Sequence, residues 1–438
     1  VRLFLGRRSA PPRGRLVIMA LLVGAQLVNL VGVALVARLY TPAAFGAFAV
    51  LFAIASVVGG ASSLRLDVAA TTARNADAAV LFRLAARSNT AVALGTGLVA
   101  VTCYAFLDRL DGQGFVECLA LAAVTAAIAA SATLTYARVR QGRYRRVAGG
   151  KLLTAAVQTI ALLLAGVVLP QPTGLLLASA LGYGAGALAL ARGDRPGHGS
   201  AHPTARDVLG RHRGFVLASA PAGLISALAV NLPVLATGTL LGSTAAGDLA
   251  LALRIGALPS ALFGQALMPI LFGEIAHRLR AAPSGVLRAY DRALLGLLAS
   301  GAVSVTGLAL STWWLAPMLF GPQWRGAGVA LLLLVPYMVS QFAVSPLSQS
   351  LNAAGRNGQQ LCWDLGRLAM TVAVFAAVAV GWLGPLACLI SLSAAMVATY
   401  AVHVVLTRAA LGSAARAAGT PTSGETVPVR SDATHAHV

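Results

Sequence analysis

The sequence predicts an all-α polytopic membrane protein, with about twelve transmembrane helices in two pseudo-symmetric six-helix lobes around a central cavity. Three observations predict it. The composition is too apolar for water, the basic residues alternate between successive apolar runs, and the two halves of the chain faintly repeat each other. Of 438 residues, 58% are hydrophobic and only 11% are charged, and the mean hydropathy is +0.79. Soluble domains carry about 25% charged residues. A water-soluble fold of this length has too little interior to hide so much apolar surface.

The spans follow from apolar runs long enough to cross the hydrocarbon core, ~20 residues each. They read as 16–37, 44–68, 89–107, 116–137, 150–169, 172–191, 214–240, 248–272, 293–320, 327–351, 365–384 and 386–407. The run from 150 to 191 is too long for one span, and Pro170 and Pro172 divide it. Gly384–Pro385 divides the last pair. The basic segment 1–15 precedes an apolar run too long for a signal peptide, so the first span is read as uncleaved. The expected organisation is a basic N-terminus (1–15), an N-lobe (16–191), an inter-lobe linker (192–213) and a C-lobe (214–407). The small, polar tail 408–438 is expected to be disordered.

The formal net charge of +20 first suggests nucleic acid. The distribution argues for membrane topology instead, and no nucleic-acid partner is expected. Counting along the chain, 29 of the 33 basic residues fall in the N-terminal segment, the even-numbered connections with the span ends that border them, and the tail. The odd-numbered connections hold only Arg38, Arg109 and Arg325, and Arg254 lies inside the eighth span. Strict alternation fits an even span count with both termini in the cytoplasm.

Chemistry that needs a cofactor has no visible home. Cys103, Cys118, Cys362 and Cys388 form no CxxC pair, and the seven histidines show no ligand spacing. The nearest approach to a phosphate loop, Ala148–Leu152, lacks the first glycine and the Ser/Thr after its lysine. No metal, cofactor or ATP engine is expected. No connection is long enough for a catalytic domain, so function is expected among the helices.

The halves resemble each other. Asn29 opens NLVGVALVARLYTPAAFGAF and Asn231 opens NLPVLATGTLLGSTAAGDLA. Asn29 matches Asn231, and the turn Thr41–Gly46 matches Gly242–Gly247 after a one-residue shift. Six spans per half is an even number, so the repeats run parallel about an axis along the membrane normal. Transporters built this way place their substrate at the repeat interface.

Ionisable groups inside the membrane are costly and are candidate sites for that reason. Arg254 lies about six residues into its span as read, ~9 Å below the outer boundary. It could face a cavity as a cation for an anionic substrate, or snorkel to the interface. Arg65 and Asp67 stand near the cytoplasmic end of the second span, and Arg38 ends the first. Gln341, Ser345, Ser348, Gln349 and Asn352 share one stripe of the tenth span. Gln26 and Asn29 do the same on the first, and Asn231 and Gln265 complete the candidate lining. Such stripes face a cavity or a neighbouring helix. All thirteen acidic residues lie in connections, tails or span ends, so no midplane carboxylate is expected.

The stretch ARLYTPAAFGAFAVLFAIASVVGGASSLRLDVAATTARNADAA resembles the opening of Wzx-like O-antigen and polysaccharide flippases. These belong to the multidrug/oligosaccharidyl-lipid/polysaccharide exporter superfamily. Their second span typically ends in an Arg-Tyr-Glu-like element, met here by Arg65-Leu66-Asp67, with aspartate in place of the common glutamate. NLPVLATGTLLGSTAAGDLALALRIGALPSALFGQAL resembles their seventh and eighth spans, including Arg254 and Leu258-Pro259. SPLSQSLNAAGRNGQQLCWDLGRL resembles their tenth-to-eleventh connection. The resemblance covers nearly the whole chain. It implies a flippase in the cytoplasmic membrane of a bacterium, moving polyprenyl-diphosphate-linked oligosaccharide by rocking between inward-open and outward-open states. Arginines would meet the diphosphate and Gln, Asn and Ser the sugar, with Asp67 as a coupling candidate. Membrane lipids, and polysaccharide polymerase or assembly proteins, are the implied partners of a monomer. A small-molecule exporter of the drug-efflux branch and a membrane-embedded glycan polymerase or ligase stay open as alternatives.

Overall fold

The structure is a computed structural model that describes residues 12–107, 111–192, 203–261, 271, 274–275, 278, 285–348, 350–351 and 356–419. Seven helices build the first half: α1 (Pro12–Leu39), α2 (Pro42–Ala61), α3 (Leu66–Thr72), α4 (Asn75–Phe106), α5 (Gly112–Arg140), α6 (Tyr144–Val168) and α7 (Pro172–Ala191). The second half holds α8 (Ala205–Leu240), α9 (Ser243–Gly256), α10 (Val286–Leu319), α11 (Arg325–Leu333), α12 (Val335–Val344), α13 (Asn357–Ala379) and α14 (Pro385–Gly419). Ten of these are long and apolar enough to cross a membrane. Pro322–Leu333 and Val335–Leu347, taken together across a 56° bend, are long and apolar enough to count as an eleventh. The expected eighth span opens as α9, and most of its expected range after 261 lies outside the described residues.

Local chemistry sets the helix starts. Thr41 caps α2, its hydroxyl accepting from the Ala44 amide at 3.2 Å, with Pro42 at the first helical position. Asp111 caps α5 through the Gly114 amide at 2.6 Å, and Thr204 caps α8 through Asp207 at 3.2 Å. α8 therefore starts inside the connection read as 192–213.

Two element ends differ from the sequence expectation. The second span does not run to 68. It stops at Ala61, and Leu64 and Arg65 turn the chain at φ of 50° and 59° before α3 begins. Serines cause the break, because their hydroxyls compete with the helix ladder. Ser62 Oγ bonds the Gly59 carbonyl and Asn89 Oδ1, both at 2.8 Å, and Ser88 Oγ donates to the Ser62 carbonyl at 2.6 Å. At the other end of the chain, α14 continues past 407 to Gly419. Alanine is the best helix former, and this extension buries Ala410 and Leu411 while Arg408 reaches Asp291 at 3.2 Å.

Helices α1 and α3–α7 pack chiefly within the first half and α10–α14 within the second, and the halves meet where α2 lies against α8 and α9. The arginines that set the expected topology also brace one end of the molecule. Arg138 Nε donates to the Leu190 carbonyl at 2.7 Å, and Arg140 reaches the carbonyls of Ala70, Thr71 and Ala73 at 2.6–2.9 Å. Both satisfy orphan carbonyls at helix C-termini. At the opposite end the largest buried cluster crosses between the halves, joining Val36, Tyr40, Phe45 and Phe48 to Leu251, Trp324 and Leu331. Trp324 Nε1 donates to the Ala37 carbonyl at 2.7 Å and its ring meets Phe45 edge-on at 5.5 Å.

Candidate functional site

Two adjoining chambers, of about 290 and 240 Å³, lie between α1, α2, α5, α6, α7 and α9. Gln26, Asn29, Gln158 and Tyr183 wall both of them. Arg254 walls the chamber nearer the Trp324 end, and Lys151 the one nearer the arginine-rich end. Among the described residues no carboxylate lines either chamber. A larger groove of about 560 Å³ between α4 and α5 is walled mostly by alanines and carries no charged group. It lacks the convergent polar groups that mark a binding site.

Arg254 lies further along its helix than the sequence reading placed it. α9 begins at Ser243, five residues before the expected span start, because Ser243 and Thr244 form its first turn rather than a loop. Arg254 is eleven residues further on, ~16 Å along the helix. It reaches across to α2, with its guanidinium carbon 5.3 Å from the Phe45 ring centre and 5.9 Å from that of Phe48. Aromatic faces offset part of the cost of desolvating a guanidinium without neutralising it. Tyr183 on α7 is within electrostatic reach and packs on Phe52 at 6.1 Å.

The polar walls are positioned by close helix packing. Gly182 on α7 leaves room for Gln158 on α6, since a Cβ at Gly182 would overlap that side chain. Gln158 Nε2 then donates to Ser179 Oγ at 3.1 Å, which directs the rest of its amide to the cavity. Lys151, Gln158 and Tyr183 were not singled out from the sequence. Gln158 is an isolated polar residue well inside an apolar run, which was a usable signal. Lys151 was counted as a topological charge only.

Other candidates fall elsewhere. Arg38 Nη2 donates to the Met318 carbonyl at 2.6 Å, bracing α1 against α10. Arg65 caps α3 and lays its guanidinium against Gly223 of α8. Asp67 is buried, and its carboxylate accepts from Ser63 Oγ at 2.9 Å and the Val68 amide at 2.8 Å, a turn-holding role. Asn231 turns back to the Ala227 carbonyl of its own helix at 2.8 Å. Gln341 sits beside Tyr337 and Tyr400 within the second half. Ser345 is exposed where α12 gives way to a 3₁₀ turn, so the expected stripe is not a single helical face. Gln265, Gln349 and Asn352 lie outside the described residues.

The second half also holds a buried polar cluster that the sequence reading left at a span end. Asp364 stands seven residues into α13, ~10 Å from its start. Arg367 Nη2 bonds it at 3.1 Å and lies over Trp363 at 4.9 Å. His403 on α14 is fully buried, with Gln360 and Thr407 each at 3.3 Å.

Solved structures share this fold. A lipid II flippase MurJ in an inward closed conformation superposes with a TM-score of 0.71 at 10% identity, over 92% of this chain and 90% of that chain. A MOP superfamily transporter from Pyrococcus furiosus gives 0.59 at 15% identity, over 91% and 94%. An inward-facing multidrug resistance MATE family transporter gives 0.54 at 15% identity, over 93% and 96%. At such identities the likeness concerns the fold alone. Among curated proteins none matches the chain in sequence. Residues 35–328 match the family described as polysaccharide biosynthesis protein, about two thirds of the sequence. The chain therefore belongs to that family, on the two-lobed fold of the MOP superfamily transporters.

Proposed function

We propose that the chain is a flippase that carries polyprenyl-diphosphate-linked oligosaccharide across the cytoplasmic membrane of a bacterium by alternating access, for cell-surface polysaccharide synthesis. One observation carries the reading. Arg254 stands on the wall of an inter-lobe cavity that has neutral polar groups around it and no carboxylate among its described lining residues. Such a cavity favours an anionic head bearing hydroxyls, while the lipid tail stays in the bilayer. With the arginine-rich end in the cytoplasm, both termini are cytoplasmic. Assembly proteins of the same polysaccharide are the natural partners of a monomeric carrier.

The magnitude is adequate. One guanidinium 4 Å from a phosphate charge contributes ~4 kcal/mol of gross attraction at an effective dielectric of ~20, and desolvation offsets much of it. The test is translocation of a lipid-linked oligosaccharide in proteoliposomes by wild type, Arg254→Gln and Arg254→Lys at matched protein levels. Wild type should translocate, Arg254→Gln should be strongly impaired with normal insertion, and Arg254→Lys should keep part of the activity because charge survives without the bidentate fork. Full activity of Arg254→Gln would remove Arg254 from the site. Export of small cationic drugs in place of the glycan lipid would overturn the cargo assignment.

A further inference from the structure

Lys151 is the only lysine of the chain among its 33 basic residues. It is exposed, seven residues beyond Tyr144 on α6, and walls the chamber nearer the arginine-rich end. Arg254 walls the other chamber, and the residues common to both are Gln26, Asn29, Gln158 and Tyr183. The lane formed by these two adjoining chambers therefore carries one cation in each, with the neutral polar groups they share between. On α6 the lane runs from Lys151 to Leu162, eleven residues or ~16 Å of helical rise. That length exceeds the reach of one diphosphate group.

The two cations differ in kind. An ammonium is a compact, strongly hydrated point charge that attracts phosphate without a fixed fork. A guanidinium offers parallel donors that match phosphate geometry bidentately. A weaker grip at the entrance and a stronger one further along suits a path that must admit and then advance its cargo. The lane between is held in place. Gln158 is anchored on Ser179 at 3.1 Å, and Thr154 Oγ1 donates to the Gly150 carbonyl at 3.0 Å.

We infer that Lys151 is a first, separate binding station for the diphosphate of a lipid-linked cargo, ahead of Arg254. The inference rests on the anionic lipid-linked cargo proposed above. A lysine serving only to reach the lipid headgroups would sit off this lane and would not respond to a cavity ligand.

The single lysine makes the test direct. The full chain in proteoliposomes is treated with an amine-acetylating reagent, and acetylation of the one lysine-bearing peptide is followed by mass spectrometry. The probe is farnesyl diphosphate, with farnesol as the uncharged control. At a probe concentration about ten times its Kd, the acetylation rate should fall about tenfold. Farnesol should leave it unchanged, and the Arg254→Gln protein should be protected as well as wild type. Equal acetylation with and without farnesyl diphosphate would overturn the station. So would protection that disappears in Arg254→Gln, since the two cations would then form one site. Protection alongside failed oligosaccharide translocation supports the station and sinks the proposed cargo. Translocation without protection sinks the station alone.

Discussion

Gly46 of α2 and Gly247 of α9 press directly against each other. A Cβ at Gly46 would overlap the Ser243 carbonyl and lie 2.6 Å from the Gly247 amide nitrogen. A Cβ at Gly247 would overlap the Pro42 carbonyl and lie 3.1 Å from the Gly46 amide nitrogen. The contact is self-reciprocal: each glycine meets the helix start and the glycine of the other half, as across a two-fold axis. These are the residues paired in the sequence repeat, so the pseudo-axis passes between α2 and α9. Arg254 lies two helical turns further along the same α9.

Gly46→Leu should therefore open the lobes at the Trp324 end, because backbone carbonyls cannot move aside as a flexible side chain would. A cysteine placed at Asn29, inside the cavity, should react several-fold faster with an impermeant maleimide in the Gly46→Leu background, and transport should be lost. Unchanged labelling would mean that the glycine contact does not hold this closure.

At the arginine-rich end, a side-chain contact joins the halves instead. Arg211 Nη2 of α8 bonds Asp77 of α4 at 2.7 Å, and His212 Nε2 stands 3.5 Å from the same carboxylate. Val208 is fully buried among Leu66, Ala70 and Leu81 beside it. Arg211 is half exposed, so the pair contributes little to folding, and its weight falls on the balance between the two carrier states. Asp77→Arg should slow transport, and adding Arg211→Asp should restore part of the rate. No recovery in the charge-swapped protein would assign the effect to the Val208 packing.

The span pattern was legible because apolar length and arginine placement are direct consequences of the bilayer. What was not legible depended on local polar chemistry inside apolar runs. Ser62 looks like a tolerated helix residue until Asn89 and Ser88, one span away, are brought against it. Ser243 and Thr244 read as loop, which placed Arg254 too near the start of its helix. Lys151 satisfied the topology count so well that its cavity position was hidden. Gln26, Asn29 and Arg254 were found as polar groups in apolar surroundings and do line one cavity, whereas Arg38, Asn231 and Gln341 share that signal and are occupied by carbonyl or tyrosine partners.

Asp364 and Arg367 make a buried pair, with side chains only 14% and 11% exposed. Removing one partner strands the other. Asp364→Asn should cost about 3–5 kcal/mol and lower the apparent unfolding temperature in detergent sharply. The double replacement Asp364→Leu with Arg367→Met removes both charges and should recover most of that loss. A double variant as unstable as the single would instead credit the stacking of Arg367 on Trp363.

Arg65 separates a structural role from a cargo-binding one. Its left-handed backbone, at φ of 59°, costs a non-glycine residue about 1–2 kcal/mol. Glycine carries no such cost, although its own backbone entropy takes back part of the gain. Arg65→Gly should thus leave stability unchanged or raise it by up to about 1 kcal/mol, with the turn still held by Ser62, Ser88 and Asn89. Because the guanidinium lies against Gly223 and off the cavity lane, transport by Arg65→Gly should stay near the wild-type rate. The matched measurements are unfolding in detergent and oligosaccharide translocation in proteoliposomes. A stable Arg65→Gly protein that no longer translocates would return Arg65 to the cargo path. An unstable one would mean that the contact with Gly223 outweighs the relief of backbone strain.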